Sequence, residues 1–160
     1  MRDVLCLAAA LWLAGCVAPV QPATRVADAA RELNLAARFG RMDIAVGRTA
    51  PSTRSVFIER HSSWGSDIRI VDVELTGLSM PDPRSASVRV DYAWVRADES
   101  TLCNTRVLQL WEDKAGAGWQ LVREQRFSGD IGLFGERARK RPPARPDVHY
   151  NSRSLGTAEN

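Results

Sequence analysis

The sequence is poor in the side chains on which metal and nucleophile chemistry most often depend. It has three cysteines and two histidines among 160 residues. The spacings of a zinc site, a phosphate-binding loop, a nucleophile elbow and a dinucleotide fingerprint are missing as well. We therefore expect no cofactor and no metal site, and the low cysteine count excludes a disulfide-rich scaffold.

The N-terminal hydrophobic run is too short to cross a bilayer. It covers residues 4–14. A helix of that length is about 16 Å long, roughly half of the hydrocarbon core of a bilayer. The run follows Arg2 and ends at small residues, which is the layout of a secretory signal peptide rather than of a transmembrane anchor.

The end of this run carries the most informative motif of the chain. The residues Leu13, Ala14, Gly15 and Cys16 closely resemble the lipobox of bacterial lipoproteins. In that family a diacylglyceryl group is attached to the cysteine, a dedicated peptidase cuts before it, and the new N-terminus is acylated. The resemblance implies lipidation of Cys16 and cleavage between Gly15 and Cys16. An ordinary cleaved signal peptide is the alternative, because Ala14 and Gly15 are small enough for the general peptidase.

The same resemblance predicts where the protein resides. Several acyl chains anchor a protein durably, at ~0.8 kcal/mol per buried methylene. In that family, the signal for retention in the inner membrane is typically an aspartate directly after the cysteine. This chain has Val17 at that position, which favours the outer membrane. We expect a lipid-anchored envelope protein with a signal peptide over residues 1–15 and a proline-containing tether over residues 16–23.

The remaining cysteine is left without a disulfide partner. Cys6 leaves with the signal peptide and Cys16 carries the lipid, so Cys103 stays alone. A lone cysteine in a strand is typical of a small buried hydrophobe. A nucleophilic role would need a histidine base, and neither His61 nor His149 lies in a catalytic motif.

Apolar residues at helical spacing predict helices in the first part of the mature chain. The first helix is predicted over residues 24–39, a second short one over residues 42–46, and a third from residues 51–53 to residue 65. The third helix has an apolar side formed by Val56, Phe57, Arg60, His61 and Trp64.

From residue 68 the hydrophobic pattern alternates with a period of two, which predicts strands. In the first strand we expect Val71, Val73 and Leu75 to share one face. The second strand alternates most clearly. Its apolar face consists of Val88, Val90, Tyr92 and Trp94.

Two more strands are predicted over residues 101–111 and 119–127, joined by a glycine-containing hairpin at residues 114–118. The pattern of residues in the third strand does not indicate which of its two faces points toward the core. Short connections between successive strands favour an antiparallel meander over crossover units. The predicted fold class is therefore α+β: N-terminal helices packed on a curved, cone-like, four-stranded antiparallel sheet, in a single domain over residues 24–130.

This order of elements resembles the nuclear-transport-factor-two-like superfamily of cone-shaped α+β domains. The resemblance rests on residues 90–94 (VDYAW) and 119–122 (WQLV), and it would span about residues 24–128. That fold hosts enzymes and binding modules alike, so the resemblance implies a fold and no particular function.

One candidate for a catalytic residue is His61. We interpret it first as a hydrogen-bonded core or boundary residue. The alternative, implied by the resemblance, is a general base that reaches into the cone. Asp72, Asp91 and Tyr92 are further candidates by position, but the alternation places both carboxylates opposite the apolar face and therefore toward solvent.

Residues 131–160 are predicted to form a basic, disordered tail. They contain six basic and three acidic residues with three prolines, whereas the body is balanced in charge. A balanced body without a binding motif argues against nucleic acid as a partner. The tail is interpreted as a solubilising end, with attraction to an anionic envelope surface as the alternative. The residues concerned are Arg137, Arg139, Lys140, Arg141 and Arg145.

We therefore expect a non-enzymatic binding or scaffold module that takes a protein partner or an apolar ligand in the concave face of its sheet. The alternative is a small enzyme with a pocket in the cone and His61 as general base. A deep cavity holding His61 and a carboxylate would favour the enzyme. A cone filled by aromatic side chains would favour the scaffold, and the side chains concerned are Tyr92, Trp94, Trp111 and Trp119.

Overall fold

The computed structural model describes residues 20–136. The predicted signal peptide, the lipidation site at Cys16, most of the tether and the basic segment from residue 137 lie outside the described residues. Within residues 20–136 the elements in chain order are three helices and four strands: α1 (Pro22–Arg38), α2 (Met42–Gly47), α3 (Arg54–Arg60), β1 (Ile68–Asp82), β2 (Ser85–Arg96), β3 (Leu102–Lys114) and β4 (Gly118–Gly129).

The first helix, α1, covers one face of the sheet. It begins at Pro22, two residues before the predicted start, because the fixed φ of proline suits a first helical turn and its missing N–H costs nothing there. The buried side of α1 includes Val26, Ala30 and Leu33, as their spacing predicts. No helix among the described residues is long and apolar enough to span a membrane.

The four strands pair as an antiparallel meander in the order β1-β2-β3-β4, and the sheet is open. This confirms the predicted α+β class and topology. The alternation of β2 is confirmed in full, because Val88, Val90, Tyr92 and Trp94 are all buried under the helices. The inward face of β3 consists of Thr105, Val107, Gln109 and Trp111.

The predicted face of β1 is wrong at Val71. The pairing with β2 shifts by one residue between Ile70 and Asp72, so Val71 occupies a bulge and is 41% exposed. Beyond the bulge, Val73 and Leu75 return to the core side as half-buried residues. A one-residue shift exchanges the two faces of a strand, which is why a face read from simple alternation fails here.

The segment before α3 attaches the helices to the free edge of β4. The N–H of Leu121 donates to the carbonyl of Arg48 at 2.8 Å, and the N–H of Ala50 donates to the carbonyl of Leu121 at 2.9 Å. The Thr53 hydroxyl adds a bond to the Val122 carbonyl at 2.9 Å. These bonds place α3 directly beside β4.

The hydrophobic core extends past the end of β4. Leu133 and Phe134 are buried and belong to the main core cluster, although they lie beyond residue 130, where the sequence pattern placed the end of the domain. The indole N–H of Trp64 donates to the Leu133 carbonyl at 2.8 Å. Residues 131–136 therefore pack as part of the domain.

Candidate functional site

Aromatic side chains fill the helix-covered side of the sheet. Tyr92, Trp94, Trp111 and Trp119 are each no more than 2% exposed. The indole N–H of Trp94 donates to the Thr105 hydroxyl at 2.9 Å, so this large side chain is fixed in orientation as well as buried. The interior is packed where a cone-shaped binding pocket would otherwise lie.

His61 follows directly after α3 and is 3% exposed. Its ring stacks on Phe57 with 4.0 Å between centroids, and the Trp64 ring meets it edge-on at 4.3 Å. Nδ1 lies 2.7 Å from the Phe57 carbonyl oxygen. The structure thus places His61 in the core, as our first interpretation of this residue expected.

A carboxylate accompanies His61 in the core. Nε2 of His61 lies 3.5 Å from Oε2 of Glu124, and both side chains are almost fully buried. Burial lowers the pKa of His61 because it disfavours the charged ring, although the Glu124 carboxylate and the bond to the Phe57 carbonyl offset part of that effect. The nearby Arg60 guanidinium lowers it further.

Glu124 also joins a series of buried polar side chains that runs across the sheet to α1. The Gln109 amide donates to Glu124 Oε1 at 2.9 Å and to Asn34 Oδ1 at 2.8 Å. The Asn34 amide donates back to Gln109 Oε1 at 3.1 Å and to the Ala30 carbonyl at 2.7 Å. The Tyr92 hydroxyl also donates to Asn34 Oδ1. We call Asn34, Tyr92, Gln109, Glu124 and His61 the core polar chain.

Sequence reasoning found two members of the core polar chain, His61 and Tyr92, and missed the other three. Asn34, Gln109 and Glu124 are polar, and polar residues are usually exposed. One signal was present. Gln109 lies two residues from both Val107 and Trp111, so it shares their face of the strand.

The other candidates lie at the surface, as their alternation predicted. Asp72 pairs with Arg38 at 3.1 Å and its side chain is 68% exposed. Asp91 accepts two bonds from the Arg106 guanidinium, at 2.6 and 2.5 Å. These hydrogen bonds lower the pKa of Asp91, so it is an ionised surface partner. Neither carboxylate lies near His61 in the core.

Cys103 lies half-buried on β3 and packs against the edge of the core. Burial raises the pKa of its thiol, and the neighbouring Asp130 adds to that effect. A raised pKa leaves little thiolate at neutral pH, and the thiolate is the nucleophilic form. Cys103 therefore packs as a small hydrophobe, but it is only partly buried and not fully buried as the sequence predicted.

A pocket of about 280 Å³ opens on the outer side of α3, against β4. Its walls combine two hydroxyl residues, two arginines, one glutamate and apolar side chains, and His61 does not line it. Val56, predicted to face the core, is 49% exposed and lies in this wall. The polar lining comprises Ser52, Thr53, Arg60, Arg123 and Glu124, and the apolar lining comprises Val56, Phe57 and Val122.

Within residues 20–136 no group of three or more metal-ligating side chains comes together. Comparison of the chain with protein-family models, curated proteins and solved structures finds no match in any of the three.

Proposed function

We propose that this chain is an exported, lipid-anchored protein of the bacterial cell envelope whose folded domain acts as a non-enzymatic binding or scaffold module. The anchor is supported by the lipobox-like residues that end at Cys16. The module is supported by one structural observation, the packing of large aromatic side chains into the side of the sheet where a substrate would have to enter.

The outer membrane is the proposed site of the anchor, with the domain at the periplasmic face. The support is Val17, which follows the lipidated cysteine where inner-membrane retention would call for an aspartate in the lipoprotein family. The basic residues from Arg137 to Arg145 would add attraction to anionic phosphates at that surface. Such attraction weakens as salt rises.

The proposed relation to the nuclear-transport-factor-two-like superfamily rests on the order of the elements. Three helices precede a four-stranded antiparallel meander, and the helices pack on one face of it. In this chain that face is filled by side chains rather than left open. A partner or ligand would therefore bind on the outer surface of the domain.

The pocket between α3 and β4 is the proposed place for a small ligand. Arg60 and Arg123 offer positive charge, the Ser52 hydroxyl offers a hydrogen bond, and apolar side chains complete a wall that also includes Glu124. That mixture suits a small amphipathic anion, because few polar groups fix its orientation while apolar walls bury its tail.

The second candidate function is a small enzyme that uses His61 as general base. The observation in its favour is the 3.5 Å approach of His61 to Glu124, since a carboxylate can orient a catalytic imidazole. Burial counts against it. His61, the base in this scheme, is enclosed by the rings of Phe57, Trp64 and Phe134 and does not line the pocket, whereas a base must reach the proton that it removes.

Replacing Cys16 tests the anchor. We expect Cys16→Ser to abolish incorporation of radiolabelled fatty acid and to move the protein out of the membrane fraction, because the serine hydroxyl cannot form the thioether. Cys103→Ser is the matched control and should leave labelling unchanged. Persistent labelling of the Cys16→Ser protein would overturn the proposed lipidation.

A thermal-shift screen with short-chain fatty acids tests the pocket. A ligand at one hundred times its Kd raises the free energy of unfolding by about 2.7 kcal/mol. We expect Arg123→Ala to remove the shift, and Arg69→Ala, an exposed arginine at the other edge of the sheet, to keep it. Equal shifts in both variants would place binding elsewhere.

A further inference from the structure

The hydrogen bond between His61 and the Phe57 carbonyl determines where the ring carries its hydrogen. A carbonyl oxygen can only accept, and it lies 2.7 Å from Nδ1. Nδ1 must therefore be the protonated nitrogen. In the neutral imidazole, Nε2 is then a bare acceptor with its lone pair outward.

The other members of the core polar chain have no hydrogen left to give. The Gln109 amide uses both of its N–H groups, on Asn34 and Glu124. The Asn34 amide uses both of its own, on Ala30 and Gln109. The Tyr92 hydroxyl gives its single hydrogen to Asn34. Glu124 Oε1 therefore accepts a hydrogen bond from Gln109, whereas Glu124 Oε2 accepts none.

Two acceptor atoms therefore meet in the core. His61 Nε2 and Glu124 Oε2 lie 3.5 Å apart, and neither has a hydrogen-bond partner among residues 20–136. The side chains of His61 and Glu124 are 0% and 3% exposed, so bulk water does not reach either atom from the surface. An ionised carboxylate against a neutral imidazole would leave two lone pairs facing each other without a hydrogen, which is costly in a buried place.

We propose that His61 and Glu124 form a buried proton-binding site, which holds one proton between Nε2 and Oε2 at neutral pH. The proton converts two opposed acceptors into a hydrogen bond and leaves the pair with no net charge. This inference concerns the folded domain alone and does not depend on the proposed location or ligand.

The geometry fixes the line on which the proton lies, between Nε2 and Oε2. Burial lowers the pKa of His61 because it disfavours the charged ring, so the pair favours the neutral imidazole with Nε2 as the acceptor. The titratable or charged groups that also face the pair are Arg60 on α3 and Tyr92 on β2. Burial and the proximity of Glu124 raise the pKa of Tyr92 well above its usual value, so its hydroxyl remains protonated. The groups from α1, β3 and residues 131–136 that pack nearby are Asn34, Gln109 and Phe134.

This site makes stability depend on pH with a defined sign. Above about pH 6.5 an unfolded chain holds no proton on either group, whereas the folded chain holds one. Folding then takes up a proton, and the folding equilibrium constant falls up to tenfold per pH unit as pH rises. Between about pH 4.3 and 6.5 both states hold one proton and the contribution is flat. Below that range the unfolded chain binds a second proton and stability falls again.

Glu124→Gln provides the test, because an amide has the shape of a protonated carboxyl and donates to Nε2 permanently. The full chain, purified in detergent, is unfolded with urea between pH 5 and 9. Between pH 7 and 9 we expect the equilibrium constant of the wild type to fall relative to the variant, by up to tenfold per unit. Glu59→Gln, an exposed carboxylate on α3, should run parallel to the wild type. Parallel curves for wild type and Glu124→Gln would overturn the proposal.

Side-chain NMR of the wild type gives a second measurement that needs no variant to fold. At pH 7 we expect His61 in the Nδ1–H form with Nε2 accepting a hydrogen bond, and the Glu124 carboxyl carbon at the shift of a carboxylic acid. An imidazolium beside a carboxylate would also support one held proton, with the proton on the other partner. A neutral imidazole beside an ionised carboxylate would refute it.

Discussion

At the scale of single residues, Gln109 is the most consequential side chain in the core. It joins Asn34 of α1 to Glu124 of β4, two residues that lie 90 positions apart in the chain and meet only through it. Buried polar groups are stable only while every member has its partner, because the low local dielectric raises the cost of each unmade bond. The side-chain amide of Gln109 therefore links a helix and a strand that are far apart in the chain.

Gln109→Leu is expected to lower the free energy of unfolding by about 3 kcal/mol, since it leaves the Asn34 amide and Glu124 Oε1 short of a partner, at about 1–3 kcal/mol each. Urea denaturation measures the change. Tyr92→Phe is the matched control: it removes one hydroxyl while Gln109 still donates to Asn34, so the loss should be about 1 kcal/mol. A smaller loss for Gln109→Leu than for Tyr92→Phe would contradict the central role of Gln109.

At the scale of elements, the end of β4 depends on a close approach to β3. Gly129 has φ of 92°, and a Cβ there would lie 2.3 Å from the Asn104 carbonyl oxygen. Directly after it, Asp130 exchanges bonds with Asn104, at 2.8 Å through its N–H and at 2.7 Å through its carboxylate. The glycine lets β4 stop against β3 and directs residues 131–136 back to the core.

Gly129→Ala is expected to destabilise the domain more than the same change at Gly116. Gly116 has φ of 81° in the β3–β4 turn, but a Cβ there would meet nothing within 4 Å. Gly116→Ala should cost only the backbone strain, about 1 kcal/mol. Gly129→Ala should cost about 2 kcal/mol more, because backbone atoms cannot yield as a flexible side chain does. Comparable melting temperatures for the two variants would show that the two strands separate easily at this point.

At the scale of the whole molecule, residues 131–136 close one end of the core. Leu133 and Phe134 are buried there, and Phe134 packs edge-on against His61 at 5.4 Å. The Arg60 guanidinium lies over the Phe134 ring at 5.2 Å. This segment covers the core polar chain at its His61 end, which helps to exclude water from the proposed proton site.

Two truncations separate the packed segment from the basic tail. A chain that ends after Glu136 should keep its melting temperature, since Leu133 and Phe134 remain, and should lose salt-sensitive binding to anionic vesicles. A chain that ends after Asp130 should lose about 4 kcal/mol, because two large apolar side chains leave the core at about 1.5–3 kcal/mol each. Calorimetry measures both. A drop of several degrees after the first truncation would show that residues beyond 136 dock on the domain.

The α+β class, the meander, the inward face of β2 and the core face of α1 were all determined by the sequence itself, because they follow from local periodicity. Alternation and helical spacing act over a few residues, and no distant partner is needed to read them. His61 and Tyr92 were recognised individually for the same reason. Their positions on apolar faces predicted burial, and the structure confirms it for both.

Only the tertiary structure decided which polar side chains those two residues meet. Asn34 and Gln109 lie 75 positions apart, and in the core each supplies hydrogen bonds that the other needs. The bulge at Val71 could not be predicted from the sequence of β1 alone either, because a shift of register is a property of two paired strands. Leu133 and Phe134 join the core for a similar reason: the chain turns back at Gly129, and that turn brings two apolar residues without any periodic pattern onto a surface built by other elements.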